Sequence, residues 1–336
     1  MNDERNDDRT REIIERLERE FGQRHDESAD EPVETFARRA PETSRDNMDP
    51  RTENALPIGG APQMQRVRLS LPLSKPRVVY ALLAINVLMY GLTLALSYLS
   101  RNAVDPRFGD AFTMVLYELG AKYGPAIDAG QYWRFITPIF LHGGLIHLAF
   151  NSYALYALGP ETERVYGSMR FLAIYMLAGF AGSIASYVHS PGLSIGASGA
   201  IFGLIGALAA FFYSARGLLG AEASRRQITQ LISLAAINIV IGLSVQAVDN
   251  AAHLGGLCAG AIAGFVLAPR YRVDERLYPP VVVRAGHAAM NWLLAALLLL
   301  VLVAWAFVSV GRYGGAISYQ PSAVRGSIRH LKADGR

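Results

Sequence analysis

"GASGAIFGLIGALAAFFY" (residues 196–213) sets one hydroxyl, Ser198, between glycines at the head of a fifteen-residue apolar run. As a helix, residues 199–213 measure about 22 Å at 1.5 Å per residue, short of the roughly 30 Å of a bilayer's hydrocarbon. Arg216 pins one end of this span at a membrane surface, so Ser198 is expected below the opposite surface, at a helix N-terminus. A serine there ordinarily packs as a small residue and returns its hydroxyl to a carbonyl one turn back. A chemical role needs partners from elsewhere in the chain.

Working outward, apolar stretches recur at 78–99, 135–159, 171–188, 228–245, 251–268 and 288–310. With 199–213 they make seven candidate spans and predict an all-α polytopic membrane protein. Hydrophobic residues make up 51% of the 336 positions and charged residues 18%, unevenly distributed. The first 54 residues hold 17 acidic groups against 10 basic ones, so the remainder carries a net +11 within an overall +4. That positive charge flanks the spans and forms no basic face with interleaved aromatics, so no nucleic-acid partner is expected. The single cysteine, Cys258, excludes an intrachain disulfide and lies in an apolar run, where it is expected in the core. No Cys/His spacing marks a metal site.

Residues 1–65 read as an acidic, mostly disordered tail. Within it, residues 10–22 put Ile13, Ile14, Leu17 and Phe21 on one stripe, either an amphipathic helix for a partner or membrane surface or a plain solvated one. The charged N-terminus lacks the apolar segment of a cleavable signal peptide, and its acidity argues against a mitochondrial transit peptide. Arg66, Arg68, Lys75 and Arg77 precede the first span and predict a cytoplasmic N-terminus. The alternation then continues, with Arg164 after span two, Arg216, Arg225 and Arg226 after span four, and Arg270, Arg272, Arg276 and Arg284 after span six. The turns at 189–197 and 246–250 hold no Lys or Arg. Two segments break the rule. The long outer loop 100–134 carries Arg101, Arg107, Lys122 and Arg134, and the tail after span seven, outside by the same alternation, carries Arg312, Arg325, Arg329, Lys332 and Arg336.

The same parity gives Ser198 its partner. Span four runs inward from Ser198, span five returns, and span six starts inward with His253 in its first turn, so Ser198 and His253 share a depth 55 residues apart. Gly199, Gly203 and Ala207 recur at every fourth position of span four, and Ala252, Gly256, Gly260 and Gly264 do so on span six. Such stripes let two membrane helices approach backbone to backbone. Alone they signal only packing; with Ser198 and His253 at one depth they support a nucleophile and its general base. "HGGLIHLAFN" (residues 142–151) adds His142, His147 and Asn151 near the outer start of span two, with His147 and Asn151 four residues apart on one face. Polar groups in hydrocarbon default to a functional reading. Asn151, His147 and the Ser198 N–H are candidate oxyanion donors, while interhelical hydrogen bonding is the alternative, most of all for His142. A haem or metal reading of these histidines lacks a carboxylate partner or HExxH spacing.

The residues resemble the rhomboid family of intramembrane serine proteases. The resemblance rests on Trp133–Arg134, "HGGLIHLAFN", Glu163 with Gly167, the Gly196, Ser198 and Gly199 of "GASG", and "AHLGGLCAG" (residues 252–260), in matching order over about residues 78–268. It implies a six-helix core with a Ser198/His253 dyad, an oxyanion site from His147, Asn151 and the Ser198 amide, and a long first loop lying in the outer leaflet. Phe202 stands one turn after the serine, where relatives often have a tyrosine stacked under the imidazole; the ring can still stack but supplies no hydroxyl. Gly196, Gly199, Gly256, Gly260 and His142 are the supporting positions. The seventh span resembles the six-plus-one arrangement of some relatives. Inactive relatives lose the serine or the histidine, whereas this chain keeps both.

The expected organisation is a tail at 1–65, a six-span core at 66–270, and a loop, seventh span and C-terminal tail at 271–336. The expected function is endoproteolysis of single-span membrane protein substrates near the outer boundary of the lipid bilayer, without a cofactor, in a bacterial inner membrane. Small residues at the cleavage site and Gly or Pro nearby follow from the resemblance and from the cost of unwinding a helix in lipid. A non-catalytic membrane adaptor of the same fold and a solute transporter are the rival classes, and the internal repeat of a transporter is not found.

Overall fold

A computed structural model describes residues 73–313 except 103–104, 106–107, 246–247, 275, 277–280 and 286–287. The acidic tail and its segment 10–22 lie outside the described residues. Nearly all described elements belong to one compact unit, Leu71–Val273 with Val282–Arg336. Of the other unit, Met1–Ser70 with Asp274–Val281, only Asp274, Arg276 and Val281 are described.

Among the described residues, seven long helices carry the fold: α1 (Val78–Leu99), α4 (Leu145–Tyr166), α5 (Ser168–His189), α6 (Ser198–Leu219), α7 (Ala221–Ser244), α8 (Asn250–Leu267) and α9 (Ala288–Ser309). Six are long and apolar enough to cross a bilayer, and they make the chain an integral membrane protein. The exception is α4. Its 22 residues reach about 33 Å, but His147, Asn151, Pro160, Glu161, Glu163 and Arg164 dilute its apolar character. Between α1 and α4 lie two short helices, α2 (Ala111–Glu118) and α3 (Gly124–Asp128), and two 3-10 turns, Tyr132–Phe135 and Thr137–Phe140.

Helix α6 is the axis of the bundle, with every residue from Gly199 to Leu208 buried. Helices α5 and α8 pack on it, and glycine sets how closely. A Cβ at Gly256 would stand 2.0 Å from the Gly199 carbonyl oxygen, one at Gly260 2.2 Å from the Gly203 Cα, and one at Gly264 2.5 Å from the Ala207 Cα. The α6–α8 seam therefore excludes any side chain along three turns. Helix α5 closes the other side, because a Cβ at Gly182 would meet the Ala252 carbonyl at 2.8 Å and one at Gly255 the Ala185 Cβ at 2.6 Å. At the far end Tyr166 bolts the seam, its hydroxyl donating to the carbonyls of Ala207 (2.7 Å) and Gly264 (3.0 Å). Helices α1, α7 and α9 present most of their apolar surface outward, as lipid-facing helices do.

Two carboxylates, the buried Glu163 and the half-buried Asp128, hold the chain ends of helices. Glu163 accepts the N–H groups of Arg77 (2.9 Å), Val78 (3.0 Å) and Val79 (2.9 Å), capping α1 from α4, and also takes the Ser168 hydroxyl at 2.6 Å. Gly167, at φ 85°, makes the sharp turn that brings α5 back beside it. Asp128 accepts the N–H groups of Gly311 and Tyr313 and the hydroxyl of Tyr187. The exit of α9 thus sits on the loop 100–144 end of the bundle.

Three expectations are corrected. Span two does not start at residue 135: residues 132–140 form 3-10 turns around Pro138, and the helix runs Leu145–Tyr166. Span four is not short, since α6 continues six residues past Tyr213 to Leu219. Hydropathy ends at Ser214 and Arg216, but helical geometry does not: the Ser214 hydroxyl bonds the Ala210 carbonyl, and the Arg216 guanidinium folds over the Tyr213 ring at 4.1 Å. Cys258 is exposed, two residues from Gly256 and hence off the face that meets α6. In addition, the loop after α8 contains a two-stranded sheet, β1 (Arg270–Asp274) with β2 (Val281–Ala285).

Candidate active site

Ser198 is the first residue of α6 and follows Gly196, whose φ of +126° and closeness to His147 admit only glycine: a Cβ there would stand 2.8 Å from His147 Nε2. His253 sits in the first turn of α8, its N–H bonded to the Asp249 carbonyl at 3.2 Å. The glycine seam draws the two helix starts together, and Ser198 Oγ lies 2.9 Å from His253 Nε2. Phe202, one turn into α6, stacks flat on the imidazole with centroids 4.2 Å apart and planes 9° apart.

The other imidazole nitrogen decides how many residues act together. His253 Nδ1 is buried and has no hydrogen-bond partner among the described residues. Asp249 does not reach it. Its carboxylate accepts the Ala252 N–H (3.0 Å), the Ser194 hydroxyl (2.7 Å) and the Ser186 hydroxyl, so it caps α8 and is fully engaged. These bonds hold its carboxyl below the usual range although burial pushes the other way. Ser198 and His253 are thus hydrogen-bonded to each other with no carboxylate on Nδ1 among the described residues.

His147 Nδ1 accepts the Gly143 N–H at 3.3 Å, which leaves its Nε2 as the protonated nitrogen of a neutral ring. That Nε2 lies beside Gly196, and the same Gly196 Cβ position is 3.8 Å from Ser198 Oγ. The first-turn N–H groups of α6 have no helical partner, and the N-cap residue, Ala197, has no polar side chain to cap them. A hydroxyl beside a base and unpaired donors is the equipment of acyl transfer. Asn151 is buried one turn below His147 and donates one amide hydrogen to the His147 carbonyl at 3.0 Å, leaving the second for another acceptor. No hydrogen bond joins His147 or Asn151 to Ser198 among the described residues. His142 is fully buried and packs edge-on against His147, centroids 5.4 Å apart. No group of three potential metal ligands occurs among the described residues.

Two of the four charges that break the charge rule in loop 100–134 are buried parts of this scaffold. Arg134 is 3% exposed, donates to the Tyr117 (2.6 Å) and Ala121 (2.8 Å) carbonyls and lies 4.2 Å over the Tyr117 ring. Lys122 is 1% exposed, and its ammonium reaches the Ser190 carbonyl at 2.8 Å. Neither flanks a membrane surface as a solvated charge, which removes both from the count that sets orientation. Ser186, Ser194 and Lys122 are site-side residues that sequence reasoning missed; the misplaced positive charge of Lys122 was the one signal pointing to them.

Residues 129–270 match the family model for the Rhomboid domain. The chain is 42% identical over 193 residues to "Rhomboid protease GluP" of Bacillus subtilis (strain 168), covering 57% of this chain and 35% of that protein. It is 38% identical over 158 residues to "Putative rhomboid protease YdcA" of the same organism, covering 46% of this chain and 76% of the relative. To "RHOMBOID-like protein 5" of Arabidopsis thaliana it is 37% identical over 171 residues, covering 49% of this chain and 54% of the relative.

Proposed function

Since this chain belongs to the rhomboid family, we propose that it is an intramembrane serine endopeptidase that cleaves single-span membrane proteins near the outer membrane boundary. The observation that carries this reading is the 2.9 Å separation of Ser198 Oγ and His253 Nε2 at the head of two helices held together by glycine. Ser198 Oγ attacks the scissile carbonyl carbon while His253 Nε2 takes the hydroxyl proton. The carbonyl oxygen, now negative, is met by the Ser198 N–H, the His147 Nε2–H and the free Asn151 amide hydrogen. His253 returns its proton to the leaving amine, the C–N bond breaks, and an acyl-enzyme remains on Ser198. Water, deprotonated by His253, then attacks the ester, and His253 returns that proton to Ser198 Oγ as the ester C–O bond breaks and the acid leaves. The reaction balances with water as its only co-reactant.

Phe202 supports the imidazole from its face and leaves Nδ1, the nitrogen a triad carboxylate would hold, untouched. The imidazolium formed during attack lies flat on its ring, whose negative face stabilises a cation in a desolvated site. The substrate must present an extended strand, which favours spans with Gly or Pro near small residues at the cleavage point. The charge alternation of the flanking loops supports a cytoplasmic N-terminus.

The test is cleavage of a model transmembrane substrate by detergent-purified protein beside its Ser198→Ala and His253→Ala variants. Both variants are expected to be folded and inactive. Undiminished cleavage by either would overturn the assignment.

A further inference from the structure

The residues that register the nucleophile against its base lie outside the pair itself. Asp249 stands four residues before His253 and Ser194 four residues before Ser198. The Ser194 hydroxyl donates to the Asp249 carboxylate at 2.7 Å. A closed ring results: from Ser198 back along the loop to Ser194, across one hydrogen bond to Asp249, and up the first turn of α8 to His253, whose hydroxyl partner is Ser198 again. The loop side of the ring is fixed twice more. Gly196 N–H bonds the Pro138 carbonyl at 2.9 Å, and Ser194 pairs with Lys122 in both directions, N–H to carbonyl at 3.0 Å each way.

Lys122 extends the ring to the third helix of the seam. Its ammonium donates to the carbonyls of Ser190 (2.8 Å) and Ser186 (3.5 Å) at the end of α5, where a cation complements the helix dipole. The Ser186 hydroxyl in turn donates to Asp249. The carboxylate and the ammonium therefore face each other through one serine, inside the protein, where each lowers the cost of burying the other. Four side chains, Lys122 from loop 100–144, Ser186 at the end of α5, Ser194 in the Ser198 loop and Asp249 at the head of α8, make one polar knot.

We propose that Ser194, Asp249 and Lys122 are positioning residues, and that this knot sets the distance between Ser198 and His253. The proposal rests on the Ser198/His253 reading above. It differs from a triad because Asp249 acts on the place of the helix rather than on the imidazole, whose Nδ1 it does not touch.

The experiment measures kcat and KM for a transmembrane substrate, the labelling rate of Ser198 by a fluorophosphonate, and the melting temperature in detergent. Variants are Ser194→Ala, Ser194→Thr, Asp249→Asn, Lys122→Met and the Ser194→Ala/Asp249→Asn double, with Ser198→Ala as control. Displacing a catalytic group by about 1 Å can cost up to roughly a hundredfold, so Ser194→Ala is expected to lower kcat and labelling together by about tenfold, with KM within about twofold. Ser194→Thr keeps the hydroxyl and is expected to restore kcat. Asp249→Asn still caps α8 and is expected to lose about tenfold or less, and the double variant no more than its worse parent, since both break one bond. Wild-type kcat in Ser194→Ala and Asp249→Asn, with Ser198→Ala inactive, would overturn the proposal and leave the Ser198 reading standing. So would a kcat loss that Ser194→Thr fails to restore. A thousandfold kcat loss in Asp249→Asn at unchanged melting temperature would also overturn it, by making that carboxylate catalytic. An active Ser198→Ala would overturn both.

Discussion

Replacing Gly256 by alanine puts one methyl group where the structure has none to spare. Its Cβ would stand 2.0 Å from the Gly199 carbonyl oxygen, 2.7 Å from the carbonyl carbon and 3.1 Å from the Cα. All three are backbone atoms of a buried helix, so no rotamer change relieves the clash. Ordinary contact begins at 3.4 Å, so α6 and α8 must separate by about 1.4 Å, the difference between 3.4 and 2.0 Å. Gly256 is three residues from His253 and Gly199 adjoins Ser198, which delivers the separation to the reacting pair. Their 2.9 Å contact would open beyond hydrogen-bond reach. Overpacking of this kind costs about 1–3 kcal/mol of stability, and misplacement of about 1 Å costs roughly a hundredfold in rate. We therefore expect Gly256→Ala to lower kcat by about a hundredfold or more and to lower the melting temperature. Gly217→Ala, on the facing helix α6 but with nothing within 4 Å of its Cβ position, is the control and is expected to keep full activity. Gly256→Ala running within threefold of wild type would refute the claim that this seam sets the catalytic distance.

Asn151→Ala is expected to lower kcat by roughly 10²- to 10³-fold while KM changes little, the signature of a donor used in the transition state; an unchanged kcat returns Asn151 to its bond with the His147 carbonyl. Phe202→Leu removes the ring under the imidazolium and is expected to lower kcat by about tenfold, with Phe202→Tyr near wild type; equal rates for all three would remove the stack from the mechanism. Burial pushes Lys122 down to about 8 from its ordinary 10.5, with Asp249 opposing. Between these pH values the unfolded chain holds the Lys122 proton and the folded chain releases it, so this group adds stability as pH rises from about 8 to 10.5. The melting temperature of wild type relative to Lys122→Met is therefore expected to rise across that window, and a flat or falling difference contradicts the burial of the ammonium.

How far the sequence could be read depended on which forces are local. Apolar length located α1 to the residue, Val78–Leu99, because a lipid-facing helix is defined by what surrounds it. It failed for α6, where Arg216 curls back over Tyr213 and the helix continues. It also failed for α4, whose polar residues cap and bolt other helices: Glu163 serves α1, and Tyr166 serves α6 and α8. The glycine stripes on spans four and six were visible because a four-residue period is one-dimensional information. The contribution of α5 to the same seam was not, since Gly179 and Gly182 are spaced three apart and their contacts with Ile139 and Ala252 are tertiary. Parity brought Ser198 and His253 to one end of the bundle, though the argument from a short span four was mistaken. The knot around Asp249 was illegible for a related reason: Ser186, Ser194 and Lys122 are ordinary residues until the chain folds them around one carboxylate.

The central claim is that Ser198 is the nucleophile and His253 its base. Intact-protein and peptide mass spectrometry after exposure to a fluorophosphonate tests both at once. The account predicts a single adduct on Ser198, formed by wild type, absent from Ser198→Ala and slowed at least a hundredfold in His253→Ala at equal foldedness. An adduct on another serine, or one on Ser198 that forms as fast without His253, would contradict it.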